Sequence, residues 1–141
     1  MDYDLMPESE ELLARSRVLL ASAVRLLETP DFSELAARET YTAVLQAARA
    51  IILLRTGRVA KTHTGTRSEI SRLAHEDTRI DASMAGFLAR GFDLRVKYDY
   101  GTESVAWVSH AEAAALIQQA RGFIDHAEWL LAQPASLPTK A

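Results

Sequence analysis

The sequence of 141 residues predicts an all-α fold, a single-domain bundle of about five helices. Apolar residues recur every three or four positions in five segments, which is the spacing of the buried face of a helix. Residues that cap helices precede most of these segments, and proline or glycine ends two of them. Residues 101–108 show apolar alternation, but this stretch is too short for an independent pair of strands. We therefore expect one domain over residues 1–141, with a core over about 8–132 and a flexible tail over 134–141.

The first two helices are predicted from their apolar faces and their ends. The first begins near residue 8 and ends before Pro30, because proline disfavours helical geometry in the residue that precedes it. The second begins at Asp31, which has capping-box spacing with Glu34, and stops at Gly57. Helical spacing relates the apolar residues Leu13, Leu20, Val24 and Leu27 of the first helix and Tyr41, Leu45, Ala48 and Ile52 of the second.

The remaining three helices follow a basic loop over residues 56–65. Thr66 caps a short third helix through about residue 75, since Glu69 stands at capping-box spacing. Asp81 caps the fourth helix, and Ser109 caps the fifth. The fourth helix carries a face made of Met84, Phe87, Leu88, Gly91, Arg95 and Tyr98, and the fifth carries one made of Leu116, Ile117, Ala120, Phe123, Ile124, Ala127 and Leu131.

The composition excludes several classes of protein. The chain has no cysteine, which rules out disulfides and thiolate metal sites and favours a cytoplasmic location. No apolar run reaches the roughly 20 residues that span a bilayer, and the acidic residues at the start do not resemble a signal peptide. The four histidines lack metal-ligand spacing, so we expect no metal and no cofactor. Residues 57–62 lack the glycine that precedes the lysine of a phosphate loop, and no nucleophile elbow is present.

Charge is distributed unevenly along the chain. Residues 1–39 carry nine acidic and four basic side chains, whereas residues 49–72 carry six basic side chains and one acidic side chain. A basic stretch in a chain of net charge −3 is typical of an anion-facing surface, although arginines also solvate ordinary helix faces. Charge by itself leaves both interpretations open.

Arg95 departs from the pattern of an ordinary helix because it stands on the apolar face, with Asp99 four residues later and Tyr100 next to it. An acid near a helix C-terminus opposes the helix dipole, and an arginine placed four residues before an aspartate is the weaker order of such a pair. Helix stability therefore does not explain the order of Arg95 and Asp99. One interpretation is a partly buried Arg95–Asp99 ion pair whose neighbouring tyrosines cover the core. The other is an arginine at a subunit contact that Asp99 holds ready for a phosphate.

Three segments resemble one known family. The run from Glu39 to Leu53, ETYTAVLQAARAIIL, is similar to the second helix of HEPN domains. The segment KTHTG at 61–65 resembles the KTHxG loop of the HEPN branch that is associated with minimal nucleotidyltransferases. The segment FDLRVKYDY at 92–100 resembles the LRxxxDY segment of the same branch. The three occur in the family's order, and the resemblance covers about residues 33–131.

This resemblance implies a five-helix bundle that forms a homodimer and brings two Arg-x-x-x-x-His motifs together across a cleft. In active members those residues make a metal-independent endoribonuclease. Arg95 matches the motif arginine, but Tyr100 stands at the histidine position, and a tyrosine with a pKa of about 10 is a poor base at neutral pH. We therefore expect RNA cleavage to be slow or absent unless another residue serves as the base. The branch also implies a nucleotidyltransferase antitoxin as partner, and Tyr100 is then a candidate acceptor of a nucleotide.

His63 is the best candidate for that base, because a long loop could carry it to the end of the fourth helix. The alternative is a histidine that only orders the loop. Lys61 and Arg49 are candidate contacts to RNA or to another phosphate ligand, with a solvated lysine and an ion-paired arginine as the alternatives. Gly91, Arg95 and Tyr98 lie on one line of the fourth helix, which suits close approach of a second copy.

Two functions follow from these residues. The first is an RNA-directed HEPN protein, a toxin-like endoribonuclease or a weakened relative, under the control of a nucleotidyltransferase. The second is a non-catalytic helical module that uses Arg95, Asp99 and Tyr100 to hold a dimer, a nucleotide or a partner protein.

Overall fold

The computed structural model describes residues 5–100 and 108–133, and within these ranges it describes every side chain except those of Pro30 and residues 94–100. The predicted all-α fold is confirmed, since these residues form five helices and no strand. The helices are α1 (Met6–Leu27), α2 (Ser33–Thr56), α3 (His63–Glu76), α4 (Ala82–Tyr100) and α5 (His110–Leu131), and a 3₁₀ turn (Pro30–Phe32) separates the first two. The predictions for residues 101–107 and for the tail 134–141 concern residues outside these ranges.

Helix α2 lies at the centre of the bundle and packs against the other four helices. Many of its inward positions carry alanine, which lets the neighbouring helices approach closely, and these alanines are fully or almost fully buried. Larger side chains fill the remaining space: Val44, Ile51 and Ile52 are each at most 1% exposed. Burying a side chain of this size contributes about 1.5–3 kcal/mol, so these three residues stabilise the packing of α2 against its neighbours.

One predicted helix C-terminus and two predicted helix N-termini are confirmed. Gly57 ends α2 in the left-handed region at φ 75°, where its N–H donates to the Leu53 carbonyl. Asp81 precedes α4, and its carboxylate accepts the Ser83 N–H at 2.9 Å. Ser109 caps α5 in a complete capping box with Glu112.

Two predicted helix starts are wrong. Asp31 is not a cap, because it lies inside the 3₁₀ turn, and α2 begins after it with Phe32 at the N-cap position. Helix α3 begins at His63 rather than after Thr66, so the connection between α2 and α3 is shorter than the predicted loop. Thr62 is the cap of α3, and its hydroxyl accepts the Gly65 N–H at 2.9 Å. Thr66 is fully buried inside the helix, where its hydroxyl donates to the Thr62 carbonyl at 2.7 Å.

None of the helices described is long and apolar enough to cross a membrane.

Candidate anion-binding site

His63 lies where α2, α3 and α4 meet. Its Nδ1 atom is 3.1 Å from the Tyr41 hydroxyl on α2, and the two rings are nearly parallel with their centroids 5.6 Å apart. The Phe92 ring on α4 lies on another side, 5.8 Å away between centroids. The early start of α3 produces this position, since His63 becomes its first residue and is carried by a capped helix end instead of a free loop.

Gly91 makes room for this arrangement. A Cβ atom at this position would overlap the Tyr41 ring, so α4 can approach α2 here because residue 91 has no side chain. The prediction that Gly91 contacts a second copy of the chain is therefore wrong. Gly91 is buried within its own subunit by Tyr41.

Two arginines and a lysine contact residues next to His63 or lie close to it in the chain. Arg49 Nη2 donates to the Lys61 carbonyl at 3.2 Å, and its Nε is buried without a hydrogen-bond partner in the part of the chain described. Burial lowers the pKa of Arg49 below its usual value, although nearby Tyr41 opposes this effect. Arginine remains charged despite such a shift. The Arg67 guanidinium lies 6.0 Å from the centre of the Phe92 ring. We call this group the His63 cluster: Tyr41, Arg49, Lys61, His63, Arg67 and Phe92.

The His63 cluster as defined contains three cationic side chains, Arg49, Lys61 and Arg67, and no carboxylate. No acidic residue occupies the first turn of α3, so the partial positive charge of its N-terminus is not offset there. Glu69, one turn further on, is bound to Arg72 in two hydrogen bonds, and this contact lowers the pKa of Glu69. A phosphate would therefore meet cationic side chains and a helix N-terminus on the same side of the bundle.

Among the predicted site residues, Arg49 contacts the backbone of Lys61, and Lys61 precedes His63 by two residues. The other three, Arg95, Asp99 and Tyr100, lie in the last two turns of α4, and their side chains are outside the described residues. Arg95 follows Phe92 by three residues on the same helix, so its backbone continues from the cluster by one turn.

Sequence reasoning missed Arg67 and underrated Tyr41. Arg67 follows His63 by four residues and so shares its side of α3, but this relation is visible only when the helix begins at His63. Tyr41 is a core residue, as its position on the apolar face predicts, and it also contacts the candidate histidine.

Two other histidines have structural roles. Nε2 of His126 lies 2.6 Å from the Arg79 carbonyl, which ties α5 to the turn before α4, and Nε2 of His110 lies 3.0 Å from the Leu27 carbonyl. A cavity of about 410 Å³ adjoins His126 between α4 and α5, with Phe87, Arg90 and Phe123 in its wall. This cavity does not include any residue of the His63 cluster.

Comparison with curated proteins finds no match. The family model for the HEPN domain matches residues 9–130, which include all five helices but for the first residues of α1 and the last residue of α5. This match covers most of the chain, and the chain therefore belongs to the HEPN domain family.

Proposed function

We propose that this HEPN protein acts on RNA, as a toxin-like endoribonuclease or a weakened relative of one, and that a nucleotidyltransferase partner controls it. Membership of the family supports a nuclease, another RNA-related role or an interaction module. The observation that favours RNA is that Arg49, Lys61, His63 and Arg67 all lie at or beside the N-terminal part of α3, whose first turn has no acidic residue. Contacts from such cations to phosphates dominate the affinity of proteins for nucleic acids.

Arg95 and Asp99 complete this proposal. Arg95 would bind a phosphate through two parallel N–H groups, and Asp99 would fix the direction of its guanidinium. Tyr100 can donate a hydrogen bond, but a tyrosine phenol stays protonated at neutral pH and is therefore a poor general base. In a chain that cleaves RNA, proton transfer would then depend on His63, and cleavage without it would be slow or absent.

The proposal includes a homodimer, since HEPN domains often dimerise. The contact would include the second half of α4, so that two copies of Arg95 face one cleft. Gly91 is not part of this contact, because Tyr41 of the same subunit covers it.

An interaction module is the second candidate function. It is supported by the packing of His63 between Tyr41 and Phe92, which is also how a structural histidine is held in a core. In that case Arg95, Asp99 and Tyr100 would hold the dimer or dock a partner protein, and RNA would bind weakly and without dependence on these residues.

The test measures RNA binding and cleavage by the wild type and by Arg95→Ala, Tyr100→Phe and His63→Ala, each first shown to be folded. We expect Arg95→Ala to weaken binding at every salt concentration, because a bidentate phosphate contact is lost. We expect cleavage, if present, to disappear in His63→Ala. Equal binding by Arg95→Ala and wild type would contradict an anion site at this end of α4.

A charge-matched pair sharpens the test. Arg67→Gln and Arg15→Gln each remove one positive charge, but Arg15 lies on α1 in an exposed pair with Glu11. We expect the slope of log affinity against log salt to fall by about one in Arg67→Gln and to stay unchanged in Arg15→Gln. Equal slopes for the two variants would favour the interaction module.

A further inference from the structure

We propose that the cavity between α4 and α5 binds a small aromatic carboxylate that carries a hydroxyl group at its other end. In this arrangement the carboxylate contacts Arg90, the ring lies against Phe87 and Phe123, and the hydroxyl donates to His126. The cavity shares no residue with the His63 cluster, so it is a second site, separate from the proposed action on RNA.

The cavity has the size and the apolar floor that an aromatic ring requires. Its volume of about 410 Å³ is within the range of pockets that hold small organic ligands. Ser83 and Arg90 both line it and are seven residues apart on α4, which corresponds to about 10 Å along the helix. Phe87 stands between them in the chain, and its ring centroid is 6.2 Å from that of Phe123 on α5. Gly122 also lines the cavity, and a Cβ atom there would meet no atom within 4 Å, so this part of α5 leaves space for a ligand.

The α4 wall of the cavity carries a cation beside an aromatic ring. Arg90 is exposed, and its guanidinium lies 5.7 Å from the centre of the Phe87 ring. It forms no ion pair with any residue that the structure describes. The planar fork of N–H groups of an arginine matches a carboxylate, and Phe87 next to it provides apolar surface for the rest of an aromatic acid.

The acid in the cavity wall determines which way such a ligand lies. Asp81 precedes α4, and the Ser83 N–H donates to its carboxylate at 2.9 Å, which lowers the pKa of Asp81. Asp81 therefore keeps its negative charge at neutral pH and repels a second carboxylate. A ligand with one carboxylate is thus oriented with that group towards Arg90 and with its other end towards the start of α4.

His126 supplies a hydrogen-bond acceptor near the start of α4. Its Nε2 atom lies 2.6 Å from the Arg79 carbonyl, and because a carbonyl oxygen can only accept, Nε2 carries the proton of this hydrogen bond. In the neutral ring Nδ1 is then an acceptor, and it has no hydrogen-bond partner among the described side chains and backbone groups. The Trp129 ring stacks on the imidazole with the centroids 5.4 Å apart, which helps to hold the ring in place. A phenolic hydroxyl is a good donor for this nitrogen.

The first test titrates the full chain with 3-(4-hydroxyphenyl)propionate and follows its backbone and histidine-ring resonances by NMR. We expect saturable shifts at residues of the cavity wall, including Ser83 and Gly122, with a Kd of about 1 mM or below. 3-Phenylpropionate lacks the hydroxyl and should bind about five-fold more weakly. Tyramine has an ammonium group in place of the carboxylate and should bind more weakly than either acid. The absence of saturable shifts at the cavity wall, or equal binding of either analogue, would overturn the proposal.

The second test locates the carboxylate and the ring with variants. Arg90→Gln should lower the affinity about ten-fold, because a charge-assisted contact is lost. Arg121→Gln is the matched control, since it removes the same charge from a residue of α5 that does not line the cavity, and it should leave the affinity unchanged. Gly122→Leu should abolish binding by filling the cavity, while circular dichroism shows the helical fold retained. Binding that persists in Gly122→Leu, or equal losses in Arg90→Gln and Arg121→Gln, would overturn the proposal.

The third test isolates the acceptor. His126→Phe removes both ring nitrogens and keeps an aromatic ring beside Trp129. We expect 3-(4-hydroxyphenyl)propionate and 3-phenylpropionate to bind this variant equally, because the hydroxyl has lost its partner. The ratio of the two affinities is the readout, since a general loss of stability would weaken both ligands alike. A five-fold preference for the hydroxylated acid that persists in His126→Phe would overturn the role of His126.

Discussion

At the scale of single residues, two positions decide how the helices fit together. Gly91 sets the separation of α2 and α4, because the Tyr41 ring occupies the place of its missing side chain. Asp77, at the C-terminal end of α3, is buried and lies 3.7 Å from Arg55 on α2 and 3.7 Å from the side chain of Arg79. Its carboxylate also accepts the Arg79 N–H at 2.9 Å. Gly91 thus allows α2 and α4 to pack closely, and Asp77 links the end of α3 to α2 and to the turn before α4.

Gly91→Ala is expected to destabilise the protein by about 1–3 kcal/mol, since the added methyl group forces α4 and the Tyr41 ring apart. Gly122→Ala on α5 is the control, because a Cβ there meets no atom within 4 Å. That change should stabilise the helix by about 0.5–1 kcal/mol. Urea unfolding monitored by circular dichroism measures both, and equal effects would show that residue 91 tolerates a side chain.

Asp77→Asn should cost about 3 kcal/mol, because it removes the negative charge that lies between two largely buried arginines while the amide can still accept the Arg79 N–H. The control is Asp125→Asn, which breaks an exposed pair with Arg17 at 2.8 Å and should cost less than about 1 kcal/mol. Both values come from denaturant midpoints at constant ionic strength. A similar loss in the two variants would mean that burial does not strengthen the Asp77 contacts.

At the scale of the helix, a capping residue predicted from the sequence marks the helix end only where no competing cap or turn lies nearby in the chain. Ser109 and Glu112 form the box that their spacing predicts. Thr62 and Thr66 compete for the start of α3, and Thr62 serves as the cap because Thr66 is required in the interior. Asp31 does not cap α2, because it lies inside the 3₁₀ turn that begins at Pro30.

Ser109→Ala is expected to destabilise the protein by about 1 kcal/mol, because its hydroxyl caps the Glu112 N–H at 3.1 Å. Asp31→Ala should change stability by less than about 0.5 kcal/mol, because this exposed side chain caps no helix. Thermal unfolding of the two variants provides the comparison. A larger loss in Asp31→Ala would restore the capping box that the sequence predicts for α2.

The same box predicts a pH dependence. The Ser109 N–H donates to the Glu112 carboxylate and lowers the pKa of Glu112 in the folded protein. The contribution of this contact is therefore present above the unfolded pKa of glutamate, about 4.3, and is lost as the pH falls through the lower folded pKa. Glu112→Gln should remove this part of the acid-induced loss of stability, measured as the unfolding midpoint between neutral and acidic pH. An unchanged profile in Glu112→Gln would exclude the contact as a source of the dependence.

At the scale of the molecule, a chain of net charge −3 has three basic residues, Arg49, Lys61 and Arg67, at or beside the N-terminal part of α3. These residues come from two helices and the connection between them, since Arg49 belongs to α2, Lys61 to the connection and Arg67 to α3. Acidic side chains are concentrated instead in the first 39 residues. In the proposed function, this uneven distribution of charge attracts RNA to the N-terminal end of α3.

The proposed homodimer is expected at tens of micromolar in sedimentation experiments. Its location can be tested by oxidation, because the native chain has no cysteine. Asp93→Cys places a thiol at an exposed position of α4 near Arg95, and we expect it to cross-link two subunits. Asp125→Cys on α5 is the control and should remain uncrosslinked. A monomer, or cross-linking through residue 125 alone, would contradict a contact formed by α4.

The positions of the helices can be predicted from the sequence, because apolar spacing and several helix-end residues act within a few positions along the chain. The faces of α2 and α5 are buried as their periodicity predicts, and Gly57, Asp81 and Ser109 mark ends where the structure has them. The sequence also indicated Arg49, Lys61 and His63 as a basic group, since their charges are visible in the sequence alone.

The partners that these residues contact depend on how the helices pack and could not be predicted from the sequence. Tyr41 and His63 are 22 positions apart, and nothing in the local pattern indicates that Gly91 makes room for their contact. The start of α3 likewise depends on the burial of Thr66. Thr62 and Thr66 are equivalent capping residues by their local chemistry, and only their packing distinguishes them. Contacts between helices depend on the shape of the space between them, and that shape exists only after the helices have packed.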